Sequence, residues 1–241
     1  MNRRTALALL GSLTIAGGSV HAATCPVPDD FTFQGGALAA TTAAIAKRDL
    51  TILALGGAST IGGPAGGTAF TYPARLEARL REALPGVTVK VAVRAVPRER
   101  DVTLLAELDT SLAALKPALV VWGPGGSAAA RGDDLDTFTG TLNDAIGKIR
   151  LAGADLILMT LQYAPSVSRL VNLYPYRMAV IRAGDDAGVP VLDRYELMRF
   201  WSDSDFLNLD ATNADDRIRV SRALFGCMAE ILGGAIVDAA K

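Results

Sequence analysis

Histidine is all but missing from this sequence. There is one in 241 residues, His21, and it falls in a stretch that reads as an export leader. Cysteine is limited to Cys25 and Cys227, too few for a thiolate metal cluster or a disulfide-dense miniature scaffold. No His or Cys group has metal-ligand spacing, so no metal site is expected. Net charge is scarce as well: 24 Lys and Arg against 25 Asp and Glu leave −1. So balanced a chain lacks the basic surface that a nucleic-acid partner requires, and none is expected. Eleven prolines and 24 glycines fall short of the composition of disordered or fibrous chains.

What is present is a globular composition, half of it apolar, in a chain long enough to bury one sizeable core. Arg3 and Arg4 make a positive start, residues 5–15 an apolar run, and Val20-His21-Ala22 a small-residue cleavage site. The apolar run is too short to cross a bilayer as a helix. A signal peptide over 1–22, an N-terminal arm over 23–48 and one α/β domain over 49–241 are therefore expected. The location that follows is periplasmic or secreted, with no transmembrane segment in the mature chain. Cleavage after Ala22 would leave 219 residues, remove Arg3 and Arg4 so that the charge becomes −3, and leave no histidine. In an oxidising compartment Cys25 and Cys227 could pin the arm to the last helix; the alternative is two unpaired thiols, one of them buried.

Short apolar runs alternate with helical periodicity. Strands are expected at 50–55, 87–93, 119–122, 156–159 and 189–192. Helices are expected from Tyr72-Pro73 to Pro85-Gly86 with Leu76, Leu80 and Leu84 on one face, and through Leu104, Leu108, Leu112 and Leu115. Others run through Phe138, Leu142, Ile146 and Ile149, over 176–187 and over 217–237, the last after an irregular stretch. Five strands joined by helices imply a three-layer α/β/α fold with a five-stranded parallel sheet. Functional residues of such sheets sit in the loops at the carboxyl ends of the strands.

The loop after the first strand is Gly56-Gly57-Ala58-Ser59-Thr60-Ile61-Gly62-Gly63. It lacks the lysine of a phosphate-cradling loop and the spacing of a dinucleotide fingerprint. No cofactor is expected. A serine remains, presented on flexible backbone.

The order of motifs resembles the SGNH (GDSL-type) hydrolases, whose fold is flavodoxin-like, over nearly all of the mature chain. Gly57-Ala58-Ser59 and Tyr72-Pro73-Ala74-Arg75-Leu76 match the family's Gly-x-Ser turn and following helix. Val93-Arg94-Ala95-Val96-Pro97-Arg98-Glu99 aligns with the second block, Trp122-Gly123-Pro124-Gly125-Gly126-Ser127 with the third, and Asp210-Ala211-Thr212-Asn213 with the Asp-x-x-His of the fourth. The resemblance implies a serine nucleophile at Ser59, an orienting aspartate at Asp210, and oxyanion donors at Ser59, Arg98 and Ser127. At the position of the family's histidine stands Asn213. The third block's asparagine is Ser127, and Pro97 and Arg98 replace two adjacent glycines.

A serine hydroxyl needs a base to take its proton, and imidazole does so because its pKa lies near neutrality. An amide has no such step. Loss of one triad member costs on the order of a millionfold in kcat, and loss of one oxyanion donor about 2.7–4 kcal/mol. The residues thus point to an exported, catalytically impaired SGNH-like protein, a monomer that binds or scaffolds a carbohydrate, a lipid or an acyl-ester small molecule of the cell envelope. The alternative is a working ester hydrolase, such as a carbohydrate O-acetyl esterase, using Ser59 with a non-standard base. Asp203, Asp205, Asp215 and Asp216 crowd the fourth block as candidates for that base. Tyr163, Tyr174, Tyr176, Phe200 and Trp201 could stack on a ligand, and Arg98, Arg100, Arg131 and Arg169 could bind a carboxylate or phosphate.

Overall fold

The computed structural model describes residues 25–29, 31, 36–98 and 100–239. The expected leader at 1–22, His21 included, lies outside the described residues, as do positions 23–24, 30, 32–35, 99, 240 and 241. Five parallel strands form the sheet: β1 (Asp49–Gly56), β2 (Thr88–Ala95), β3 (Leu119–Trp122), β4 (Asp155–Met159) and β5 (Val191–Leu192). Their order is β2-β1-β3-β4-β5, with Ile52 opposite Leu119, Leu119 opposite Asp155 and Leu158 opposite Val191.

The helices are α1 (Ala39–Ala46), α2 (Tyr72–Ala83), α3 (Asp101–Leu115), α4 (Gly126–Arg131), α5 (Leu135–Leu151), α6 (Pro165–Ser168), α7 (Tyr174–Ala187), α8 (Arg194–Asp203) and α9 (Ala214–Ala239). Their starts have chemical causes. The Thr71 hydroxyl accepts from Ala74 N at 3.4 Å, with Pro73 in the first turn of α2. Asp134 accepts from Thr137 N at 2.8 Å before α5.

Alternation along the strands divides the core in two. Ile52, Ala54, Val121, Ile157 and Met159 point to one face, under Leu76 and Leu80 of α2, Trp201 of α8 and Leu224, Met228, Leu232 and Ile236 of α9. Leu53, Leu55, Val120, Trp122 and Leu158 point to the other, under α3, α5 and α7. Both faces are dry, so the strands read as continuous apolar runs. β2 is an edge strand and is correspondingly mixed, with Lys90 and Val93 exposed.

Two features bear on the sequence reading. The stretch after β5 is not irregular throughout: it carries α8, opened by Asp193, whose carboxylate accepts from Glu196 N at 3.3 Å. Asp-x-x-Glu is a helix-start pattern. The second concerns the expectation of no spanning segment. Among the described residues one helix, α9, is long and apolar enough to cross a membrane, yet 56% of its apolar window is buried within the fold. Cys227 in α9 forms a disulfide with Cys25. Trp201 donates its indole N–H to Pro26 O at 2.6 Å, tying the arm down a second time.

Candidate functional site

The strand order reverses between β1 and β3, so the loops leaving these two strands diverge and open a crevice at their carboxyl ends. On one side, Gly56 has φ +157°, and a Cβ there would lie 2.2 Å from Thr60 Oγ1. The Gly57 carbonyl accepts from Thr60 N at 3.0 Å and from Ile61 N at 3.4 Å. This tight turn lifts Ser59 to the cavity wall. On the other side, Gly125 at φ +86° turns the chain into α4, which carries Ser127. Between them lies a cavity of about 580 Å³, within the range of small-molecule sites. Its apolar wall includes Leu104, Leu161, Val167 and Leu173; its polar lining includes Ser59, Ser127, Asp101 and the arginines 98, 100, 131 and 194.

Arg194, the first residue of α8, dominates the electrostatics. It is 5% exposed. Its Nε donates to Thr160 O at 3.1 Å and its Nη1 to Ser59 Oγ at 3.3 Å. Of a guanidinium's five N–H donors these are two, and no carboxylate among the described residues pairs with it. Burial therefore pulls it down to about 10, against an opposing pull from Tyr72. Asp193, next in sequence, is turned away and held by Arg177, whose Nε lies 3.1 Å from its Oδ1, and by the Thr160 hydroxyl at 2.8 Å. Behind Arg194, the Tyr72 hydroxyl is buried and meets no partner in hydrogen-bond geometry among the described residues, although Thr60 lies near enough to influence it. Burial pushes that phenol up to about 12, with Arg194 and then Thr60 opposing.

Ser59, Arg98 and Ser127 thus share one cavity. Arg98 has φ +62°, so arginine keeps the left-handed backbone at a position aligned with a family glycine. Asp210 and Asn213 are not among the lining residues, which departs from the expectation that they stand beside Ser59. Asn213 caps α9: its Oδ1 accepts from Asp216 N at 2.8 Å and its Nδ2 donates to the Asp216 carboxylate. Asparagine is a strong N-cap, and capping engages both amide atoms here. Asp210 is half-turned to solvent, 3.5 Å from Arg169 Nη1, so Arg169 is also outside the cavity.

The other carboxylates weighed as a base do not line the cavity either. Asp203 pairs with Arg199 and Asp216 with Arg219; the carboxylate among the described lining residues is Asp101. The five aromatics weighed for stacking are likewise elsewhere. Trp201 is fully buried under the sheet, Tyr176 packs on Phe138, Tyr163 lies edge-on to Tyr195, and Tyr174 is exposed. Of the four arginines weighed, Arg98, Arg100 and Arg131 line the cavity, and Arg131 is held by the Asp133 carboxylate. Sequence reasoning missed Arg194. The available signal was its place directly after the fifth strand, inside the Asp-x-x-Glu helix start.

The family model of the non-GDSL lipase-like family matches residues 24–241. The chain belongs to that family. No curated protein sequence matches it. Among solved structures, it is similar to a catalytic mutant of Axe2, an acetylxylan esterase from Geobacillus stearothermophilus, with 19% identity and a TM-score of 0.62 over 78% of this chain and 94% of that one. It is also similar to the psychrotrophic esterase EstA from Pseudoalteromonas sp., with 17% identity and a TM-score of 0.56 over 76% and 98% of the two chains. A third similar structure, TesA, has 24% identity and a TM-score of 0.52 over 58% and 76%. These likenesses establish the α/β fold of the GDSL/SGNH esterases for this member of the non-GDSL lipase-like family.

Proposed function

We propose that this chain is an exported SGNH-fold protein that binds a small molecule, of the carbohydrate, lipid or acyl-ester kind, in the Ser59 cavity without triad hydrolysis. The observation that carries this reading is the direction of the hydrogen bond at Ser59. A nucleophilic serine donates its proton to a base; the side chain that meets Ser59 Oγ here is Arg194, whose Nη1 donates to it at 3.3 Å. A guanidinium carries donors only and cannot relieve the hydroxyl of its proton near neutral pH. No histidine follows position 21 in the sequence, and Asn213 is engaged at the start of α9. The Cys25–Cys227 bond supports an oxidising compartment.

The test is hydrolysis of a short-chain aryl ester by the purified protein beside Ser59→Ala. Both are expected to match buffer. A rate present in the parent protein and abolished in Ser59→Ala overturns the reading and points to Asp101, the lining carboxylate, as the base to substitute next.

A further inference from the structure

The cavity floor holds a positive charge that no carboxylate among the described residues pairs with. Arg194 is 5% exposed, lines the cavity, and has no carboxylate partner among the described residues. Burying an ionised group is costly unless it is paired and hydrogen-bonded. Structural buried arginines are therefore normally matched by an acid, as even the part-buried Arg177 is by Asp193 and Glu196 in this same fold. The polypeptide instead holds Arg194 in place with two neutral acceptors, the Thr160 carbonyl and the Ser59 hydroxyl.

Thr160 is well suited to this task. Besides receiving Arg194 Nε, it donates its hydroxyl to Asp193 and accepts from Tyr195 N at 3.0 Å. The residues on both sides of Arg194 are thereby tied to Thr160, Asp193 by its carboxylate and Tyr195 by its backbone N–H. A cation so buried, so firmly oriented and directed at a cavity is the arrangement that receives an anion.

We infer that the Ser59 cavity takes a singly charged organic anion carrying an apolar chain, its carboxylate or phosphodiester group seated between Arg194 and Ser59. The single charge follows from the floor, where one guanidinium is buried, and from Asp101, whose carboxylate lines the same cavity and disfavours a second negative charge. Arg98 and Arg100 are exposed at the rim, and Arg131 is already held by Asp133. The chain follows from the wall, where Leu104, Leu161 and Leu173 are buried and Val167 is exposed at the mouth. Arg194 and Ser59 offer two adjacent donors, from guanidinium and hydroxyl, to the two oxygens of such a group. The inference rests on the reading of this cavity as a non-hydrolytic binding site, and gives that site its ligand class.

Isothermal titration of the full chain with sodium octanoate, methyl octyl phosphate and methyl octanoate tests it, using the parent protein, Arg194→Lys and Arg194→Met. The two anions are expected to bind and the neutral methyl ester to bind at least tenfold more weakly. Arg194→Met is expected to lose about 30-fold or more in affinity for the anions while leaving the ester unaffected, as removal of one partner of a buried charge pair does. Should Arg194→Met fail to fold, the anion-to-ester ratio in the parent protein and the partial loss in Arg194→Lys decide the matter. The relative affinities of octanoate and methyl octyl phosphate tell carboxylate from phosphodiester. Equal binding of anion and ester, unchanged anion affinity in Arg194→Met, or no anion binding overturns the inference. Ser59-dependent hydrolysis of the methyl ester would instead overturn the non-hydrolytic reading, leaving the anion preference separately measurable.

Discussion

Arg194 Nη1 donates a hydrogen bond to Ser59 Oγ across 3.3 Å, joining the first residue of α8 to the turn that follows β1. In a serine hydrolase that hydroxyl would face an acceptor able to take its proton. Here it faces a cation with nothing but donors. One of the hydroxyl's two lone pairs receives that donor, and Ser59 becomes part of a polar floor. The same contact helps hold a guanidinium that no acid among the described residues pairs with. Ser59 and the Thr160 carbonyl, at 3.1 Å, solvate it in place of water.

Arg194 and Tyr72 titrate in opposite senses, which makes stability at high pH a test of the site. Burial lowers Arg194 to about 10, so between pH 10 and its unfolded value the unfolded chain binds more protons, and this group's contribution to stability rises with pH. Burial raises Tyr72 to about 12, so above its unfolded value of 10 the folded chain binds more protons, and its contribution falls with pH. The two offset each other in the parent protein. In Tyr72→Phe the slope of stability against pH above pH 10 should become more positive, and in Arg194→Met more negative, each by about 1 kcal/mol per pH unit. Urea midpoints collected from pH 9 to 11 read the slopes. Three parallel curves would show that the two groups are not buried as described.

Tyr72→Phe has a second expected outcome at neutral pH. The hydroxyl is buried with no partner in hydrogen-bond geometry among the described residues, so its removal deletes an unsatisfied polar group and leaves the ring's packing intact. Stability should be unchanged or higher by about 1 kcal/mol. A loss of that size in urea denaturation would mean that the hydroxyl has a partner, with Thr60 the first to check.

Asn213 marks the limit of motif alignment. Its position after Asp210 matches the family's base, but both amide atoms serve Asp216 at the start of α9. Asn213→His is therefore expected to bring no ester hydrolysis. Asn213→Ala should lower stability by about 1 kcal/mol through the lost cap. An aryl-ester assay and urea denaturation measure the two effects. Activity in Asn213→His would place this residue within reach of Ser59.

The disulfide closes a loop of 202 residues. In the chain-entropy description, such a cross-link contributes about 5 kcal/mol, mainly by restricting the unfolded chain. Paired Cys25→Ser and Cys227→Ser substitutions should lower stability by up to that amount. Because Trp201 also holds Pro26, the arm should stay docked, with the indole fluorescence of the folded state unchanged.

The fold was legible because its signals are local and redundant. Buried parallel strands such as Leu119–Trp122 read as continuous apolar runs, and Pro85-Gly86 and Lys116-Pro117 punctuate the helices before β2 and β3. α8 was less visible because its start depends on one capping pattern, Asp193 to Glu196, rather than on a long apolar period. Half of the cavity could be read as well, since Ser59 lies in the glycine-marked turn after β1 and Ser127 in the first turn of α4, just past the glycine-marked loop after β3. Arg194 could not. A buried guanidinium and a solvated one are the same letter, and only the packing of Tyr72, Thr160 and Ser59 around it separates them.

Gly56 is the position on which Ser59 depends, and its substitution separates steric from backbone effects. A Cβ at Gly56 would lie 2.2 Å from Thr60 Oγ1 and 3.3 Å from Thr60 Cβ, at a φ of +157°. The contact is too close for rotation of one side chain to relieve, because Thr60 is itself 1% exposed and its β-branch leaves few rotamers. The turn must shift, carrying Ser59 away from Arg194. Gly63 offers the control: its φ of +40° strains any other residue, but nothing lies within 4 Å of a Cβ there. Gly63→Ala should therefore show the backbone cost alone, about 1 kcal/mol, with octanoate affinity retained. Gly56→Ala should lose about 2 kcal/mol or more and also weaken octanoate binding. Equal losses in the two variants, with binding intact in both, would mean that the turn gives way without moving Ser59, and that the serine's position does not depend on the close approach of Gly56 to Thr60.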